Sequence, residues 1–179
     1  MQDSVRTRSL TGMALLVALN CISAYIIIPL PFTESPLALQ TLVVNLVGFL
    51  LPTKKAGTVM AVYILLGLIG IPVFTGGTAG FGKMFGPTGG YIWGFLVAAV
   101  LISYFKGKQY HFKRYSAVSI GIGIPVIYIM GAVQLQAVTH MPWIHVVAIG
   151  VLPFIPLDIV KCLAAAGIAG AVKRRMTVS

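Results

Sequence analysis

The stretch P-W-I-H-V-V-A-I-G-V-L-P-F-I-P-L-D-I-V-K-C-L-A-A-A-G-I-A-G-A-V-K, Pro142–Lys173, decides how often this chain crosses a membrane. It is apolar almost throughout, yet Pro142, Pro153 and Pro156 interrupt it. A proline inside a helix removes a hydrogen bond and clashes with the preceding turn. A spanning helix takes about 20 apolar residues. Counted back from Lys173, that length ends near Pro153. The stretch therefore divides in two. Trp143–Val151 reads as a short helix near the membrane surface. The last span starts around Pro153–Pro156 and runs to Val172.

The same arithmetic places five earlier spans at Leu10–Pro29, Leu37–Leu51, Ala56–Ile71, Gly89–Phe105 and Tyr115–Val138. Composition agrees. Hydrophobic residues are 58% of the 179 and charged residues only 9%. A soluble domain of this size does not carry so much apolar surface. The charge of +10 comes from 13 Lys and Arg against 3 Asp and Glu. In a soluble chain that balance suggests nucleic acid. Here the cations sit in short clusters between apolar runs, which is the pattern of a multi-pass membrane protein and excludes a nucleic-acid partner. The apolar run from Leu10 is too long for a signal-peptide core and reads as a retained first helix. Residues 1–179 carry no repeat and no soluble segment, so they read as one membrane domain, all-α, with six transmembrane helices.

The cations set the direction. Arg6 and Arg8 precede the first span, and Lys54 and Lys55 separate the second from the third. Lys106, Lys108, Lys113 and Arg114 separate the fourth from the fifth, and Lys173, Arg174 and Arg175 follow the sixth. The opposite side holds only Lys83, with Lys161 inside a span. Both termini are then expected in the cytoplasm, with the loop between helices 3 and 4 outside.

Ionisable residues within a span are costly and usually turn toward a partner or cavity. Asp158 and Lys161 are three apart, on one helix face near the outer surface. One reading is a salt bridge that only fixes packing. Burying an ion pair is seldom favourable for stability alone, which favours a ligand needing both groups. Asp158 accepts N–H donors, and Lys161 donates to a carbonyl or carboxylate. A cyclic urea or amide is the simplest head group for such a pair.

The outer loop G-G-T-A-G-F-G-K-M-F-G-P-T-G-G-Y, Gly76–Tyr91, has seven glycines in sixteen residues. Bare backbone of this kind suits close approach to a ligand. Phe74 and Tyr91 join Phe81, Phe85, Trp93, Trp143 and Phe154 as an aromatic set that serves either a pocket or the membrane interface. Gln40 either reaches the outer cavity or is solvated. A ligand carboxylate has three candidate seats: Gly76–Gly77, the helix N-terminus after Pro87 and Thr88, or Lys83.

Other chemistries fail on residue type. Gly77–Met84 nearly matches a P-loop, but Met84 stands where Mg²⁺ needs a hydroxyl. His140 and His145 lack zinc-site spacing, so no metal is expected. No Gly-x-Ser-x-Gly accompanies Asp158. Cys21 and Cys162 read as small buried hydrophobes. Ala14 and Ala18 form A-x-x-x-A on the first span, and Gly90 and Gly94 form G-x-x-x-G on the fourth. Such spacings let helices approach closely, and internal packing is the simpler reading for the glycines.

I-P-V-F-T-G-G with G-P-T-G-G-Y-I-W-G-F, P-L-P-F-T with Q-T-L, and P-F-I-P-L-D-I-V-K stand in one order along the chain. Together they resemble the BioY family, the biotin-specific S components of energy-coupling-factor (ECF) transporters. The resemblance implies six helices with both termini inside. It implies outer-side biotin binding by Asp158 and Lys161 under the glycine loop as a lid, with Gly76, Gly77, Thr88, Tyr91, Phe74 and Gln40 as further candidates. It implies an ATP-driven coupling module, with a transmembrane coupling protein and two ATPase subunits, engaged through Ala14 and Ala18. Biotin would be substrate, with no cofactor and no enzymatic step, at the cell membrane of a prokaryote. The alternatives are an S component for another small vitamin, or a membrane enzyme using the Asp158/Lys161 pair. One departure is Glu34, where the family usually has an uncharged residue.

Overall fold

The computed structural model describes the backbone of residues 2–28 and 37–178 and the side chains of residues 7–27 and 38–175. The first outer loop with Glu34 lies outside the described residues. Helix α1 spans Gln2–Ser23, α2 Gln40–Leu50, α3 Thr53–Leu68, α4 Phe81–Met84 and α5 Gly89–Phe105. Helix α6, Phe112–Val118, runs through a π-helical turn at Ser119–Gly123 into α7, Ile124–Thr139. Helices α8, Trp143–Gly150, and α9, Ile155–Val178, complete the chain. Among the described residues the only β-pairing beyond an isolated bridge is a two-residue antiparallel ladder, β1 (Ile27–Ile28) against β2 (Leu37–Ala38). The protein is all-helical, and Phe112–Thr139 and Ile155–Arg175 are each long and apolar enough to cross a membrane.

The proline-broken final stretch divides where its sequence requires. Pro142 caps α8 in an extended conformation. Pro156 falls in the first turn of α9, where a missing N–H leaves no bond unmade. Helix α5 has its expected bounds. Three others shift. Helix α1 starts at Gln2 and ends at Ser23 rather than Pro29, because the chain turns at Ala24 and Tyr25 into β1. Helix α3 begins at Thr53, just after Pro52, so Lys54 and Lys55 lie in its first turn instead of before it.

The third shift concerns α2, which is only 11 residues long. At 1.5 Å per residue it rises about 16 Å, roughly half a bilayer core. Nine of its residues, from Gln40 to Phe49, are buried against α5 and α9. A helix end leaves carbonyls without partners, and lipid supplies none. Here α5 supplies them. Ser103 Oγ donates to the Leu51 carbonyl at 2.7 Å. Lys106 Nζ donates to the Gly48 carbonyl at 2.7 Å and also to that of Leu51. Burial, with the Lys173 charge nearby, pulls the Lys106 amine from the ordinary 10.5 down to about 8.

Lys106→Met is expected to cost about 1–2 kcal/mol, since the Gly48 carbonyl loses its donor while Leu51 keeps Ser103. The pH dependence has a definite sign. Below about 8 the folded protein carries a buried charge. Between about 8 and 10.5 it releases a proton that the unfolded chain retains, so stability rises with pH. Thermal unfolding of wild type and Lys106→Met in detergent, from neutral to alkaline pH, checks this. Wild type alone should gain that increment.

Helices α5 and α7 pack through glycine. A Cβ on Gly90 would lie 2.2 Å from the Met130 carbonyl, and one on Gly94 would lie 2.9 Å from the Ile127 Cα. The G-x-x-x-G therefore faces inward and sets the distance between two walls of the site.

Candidate functional site

A cavity opens where α9 begins, bounded by α2, α5, α7 and the outer loop. Its cavity volume is ≈ 50 Å³. Asp158 and Lys161 both line it. Lys161 Nζ donates to Asp158 Oδ1 at 2.9 Å and to the Ala38 carbonyl at 2.7 Å. Tyr128, from α7, donates its hydroxyl to Asp158 Oδ2 at 2.7 Å. Asp158 is 4% exposed. The pair is thus neutral as a unit, buried and oriented from two sides.

The walls are mostly apolar: Ile92, Phe95, Ile127 and Phe154, with the Tyr91 ring. Tyr91 is held rigidly. Its hydroxyl donates to the Gly150 carbonyl at 2.6 Å. Its ring covers Gly131, where a Cβ would come within 2.3 Å. Thr41, Thr75, Thr88 and Lys83 complete the polar lining.

Of the sequence candidates, Asp158, Lys161, Tyr91, Thr88 and Lys83 meet at this cavity. Phe74, Gly76, Gly77 and Gln40 do not line it. Phe74 is fully buried, packed over Gly67 and edge-on to Tyr63, with ring centroids 5.7 Å apart. Gly76 and Gly77 have φ of +76° and +70° and form a turn that is not part of the lining. A Cβ on Gly77 would strike the Tyr25 ring at 2.9 Å. Their N–H groups donate to the Ala24 and Phe74 carbonyls, each at 2.9 Å. Gln40 stands one layer back, donating to the Tyr63 hydroxyl at 2.7 Å and accepting from the Thr75 hydroxyl. It orients Thr75, which does reach the cavity.

Sequence reasoning missed Tyr128, Thr41 and Thr75. Tyr128 did leave a signal: a tyrosine inside an apolar span requires a hydrogen-bond partner, and Asp158 was the acid available. The threonines left none. Ala14 and Ala18 do not line this cavity and lie on the exposed face of α1 beside Leu15 and Ile22.

Comparison with known proteins agrees over the whole chain. The BioY family model matches residues 1–178. Biotin transporter BioY2 of Lactococcus lactis subsp. cremoris is 38% identical, over 90% of this chain and 87% of its own. Biotin transporter BioY of Thermotoga maritima is 34% identical, over 93% and 96%. The crystal structure of an S component for biotin from an ECF-type ABC transporter superposes with a TM-score of 0.89, at 27% identity, covering 97% of this chain and 95% of that one. With a family match and relatives that extend almost from end to end, this chain belongs to the BioY family, whose members reside in the cell membrane.

Proposed function

We propose that this protein is the biotin-binding S component of an ECF-type transporter, taking biotin from the outer side of the cell membrane. The observation that carries the reading is a buried acid–base pair inside an apolar cavity of a chain that matches biotin S components throughout. Lining of this kind binds and orients a ligand without acid–base chemistry, and the family's members are transporters rather than enzymes.

The pair has capacity to spare. A carboxylate offers about four acceptor positions, and Tyr128 and Lys161 occupy one on each oxygen. The two ureido N–H groups of biotin can therefore join Asp158 without breaking the pair. An ammonium has three donors, and Asp158 and Ala38 take two at Lys161. The third can meet the ureido carbonyl. The apolar walls accept the thioether ring and chain. The glycine loop, which begins just after Thr75 and contributes Lys83 and Thr88, serves as the lid.

We read six spans in α1, α2, α3, α5, α6–α7 and α9, and place both termini in the cytoplasm by the distribution of cations. The P-loop-like run places Met84 in the core, where no phosphate can be held. Energy for release must come from a coupling module with a transmembrane protein and two ATPase subunits. The exposed Ala14–Ala18 face of α1 is the contact proposed for it. Ala14→Leu with Ala18→Leu is expected to abolish co-purification with that module and biotin uptake by cells. The isolated subunit should retain wild-type biotin affinity, measured by calorimetry.

Mass spectrometry of the small molecule that accompanies the purified protein tests the assignment, joined to competition against labelled biotin. Unaltered biotin is the expected finding. Displacement of the label by riboflavin or thiamin, but not by excess biotin, would replace the vitamin. A chemically altered ligand would point to an enzyme.

A further inference from the structure

The turn between α5 and α6, at the end of the bundle where the cations gather, is built around one guanidinium. Arg114, in the first turn of α6, folds back so that Nε and Nη2 both donate to the Phe105 carbonyl, at 3.3 and 3.2 Å. Gly107 makes room for it. Its φ is +79°, and a Cβ there would stand 2.7 Å from the Arg114 Cζ and Nη1. The Arg114 side chain is exposed, and Nη1 has no partner among the described residues. An arginine offers five N–H groups in a planar fork that matches phosphate. Here the fork is held from its Nε side and keeps donors to spare.

The surroundings fit a lipid. Lys108 and Lys113 are exposed on the same turn. Tyr104, Phe105 and Phe112 flank it and are exposed as well, and aromatic rings so placed sit at headgroup level. Acidic competitors are scarce: of the three, Asp158 lies in the cavity and Glu34 in the first outer loop, which leaves Asp3. The site is separate from the ligand cavity. Tyr110, from the same turn, donates to the Ala166 carbonyl at 3.1 Å and covers Gly170, about 18 Å along α9 from Asp158.

We propose that Arg114, with Lys108 and Lys113, seats the phosphodiester of an anionic phospholipid of the inner leaflet. Two phosphate oxygens meet Nη1 and the second N–H of Nη2, and the aromatic rim lies against the start of the acyl chains. That rim favours a lipid over a soluble phosphate or an acidic protein. A zwitterionic lipid brings its own cation, which Lys108 and Lys113 repel. The proposal depends on the membrane reading of the chain and not on biotin.

Native mass spectrometry of the detergent-purified full chain, titrated with phosphatidylglycerol or phosphatidylcholine, tests it. Wild type should bind one phosphatidylglycerol about tenfold more tightly, the scale of one charge-assisted contact at an exposed site. Arg114→Gln should lose most of that preference. Gly107→Ala should lose it too while keeping every charge, because its Cβ displaces the guanidinium. Arg114→Lys should fall between, since an ammonium keeps the charge without the fork. Lys54→Gln, exposed at the same end but off this turn, should keep the wild-type ratio. Phosphatidylcholine is each variant's own reference, so a change in folding moves both lipids and not their ratio. Equal binding of the two lipids by wild type would overturn the proposal. So would a loss in Lys54→Gln that matches Arg114→Gln with Gly107→Ala unaffected, which would mean diffuse attraction, or release of the lipid by an equal concentration of inorganic phosphate. No lipid preference, with Arg114→Gln failing to co-purify with the coupling module, would make the turn a protein interface instead.

Discussion

Lys161→Ala is expected to weaken biotin binding by about 1–3 kcal/mol, or about 5- to 150-fold in Kd. The substitution removes a donor to the ligand and leaves the Asp158 carboxylate, 4% exposed, without its cation. Breaking a buried pair from one side strands the other charge. Asp158→Asn should cost as much from the other direction, because the Lys161 ammonium loses its counter-charge and an amide nitrogen replaces one acceptor oxygen. The two groups act as a unit at 2.9 Å, so the double variant should lose less than the sum of the single losses. Calorimetric titration of the four proteins reads this coupling. Wild-type affinity in both single variants would remove the pair from the site.

The second large effect is on the scaffold. Gly90→Val is expected to destabilise the protein by about 3 kcal/mol or more, the upper end for overpacking, since the obstacle is a backbone carbonyl that cannot rotate away. Its partner in the test is Gly167→Ala on α9, where a Cβ would meet nothing within 4 Å. An added methyl there should stabilise by about 0.4–1 kcal/mol through the unfolded chain. Thermal unfolding in detergent should move in opposite directions for the two. Equal shifts would mean that α5 and α7 are not in glycine-mediated contact.

Legibility followed the range of the physical signal. Proline, glycine and charge act locally, so the break before α9, the bounds of α5 and the exceptional pair Asp158–Lys161 could be read along the chain. The inward-facing Gly90 and Gly94 were legible as a spacing, although only the fold names Met130 and Ile127 as their neighbours. What escaped depends on side chains meeting across the bundle. Apolar residues alone do not reveal that α2 is cut to 11 residues and capped by Lys106 from another helix. By sequence, Gln40 either reaches the cavity or is solvated. It stands instead behind Thr75, and a one-residue step to Thr41 separates interior from lining. Phe74 belonged by composition to an aromatic pocket, but the missing side chain at Gly67 leaves a niche that draws it into the core.

The brevity of α2 has a mechanical consequence. Peripheral helices such as α1 feel the thickness of the surrounding bilayer and can answer mismatch by tilting. Helix α2 is enclosed by protein and offers little side-chain surface to the hydrocarbon. It acts as a strut hung inside the bundle, tied at one end by Lys106 and carrying Thr41 to the other. Changes in lipid chain length would then be absorbed at the rim, leaving ligand affinity insensitive to the membrane in which the protein is reconstituted.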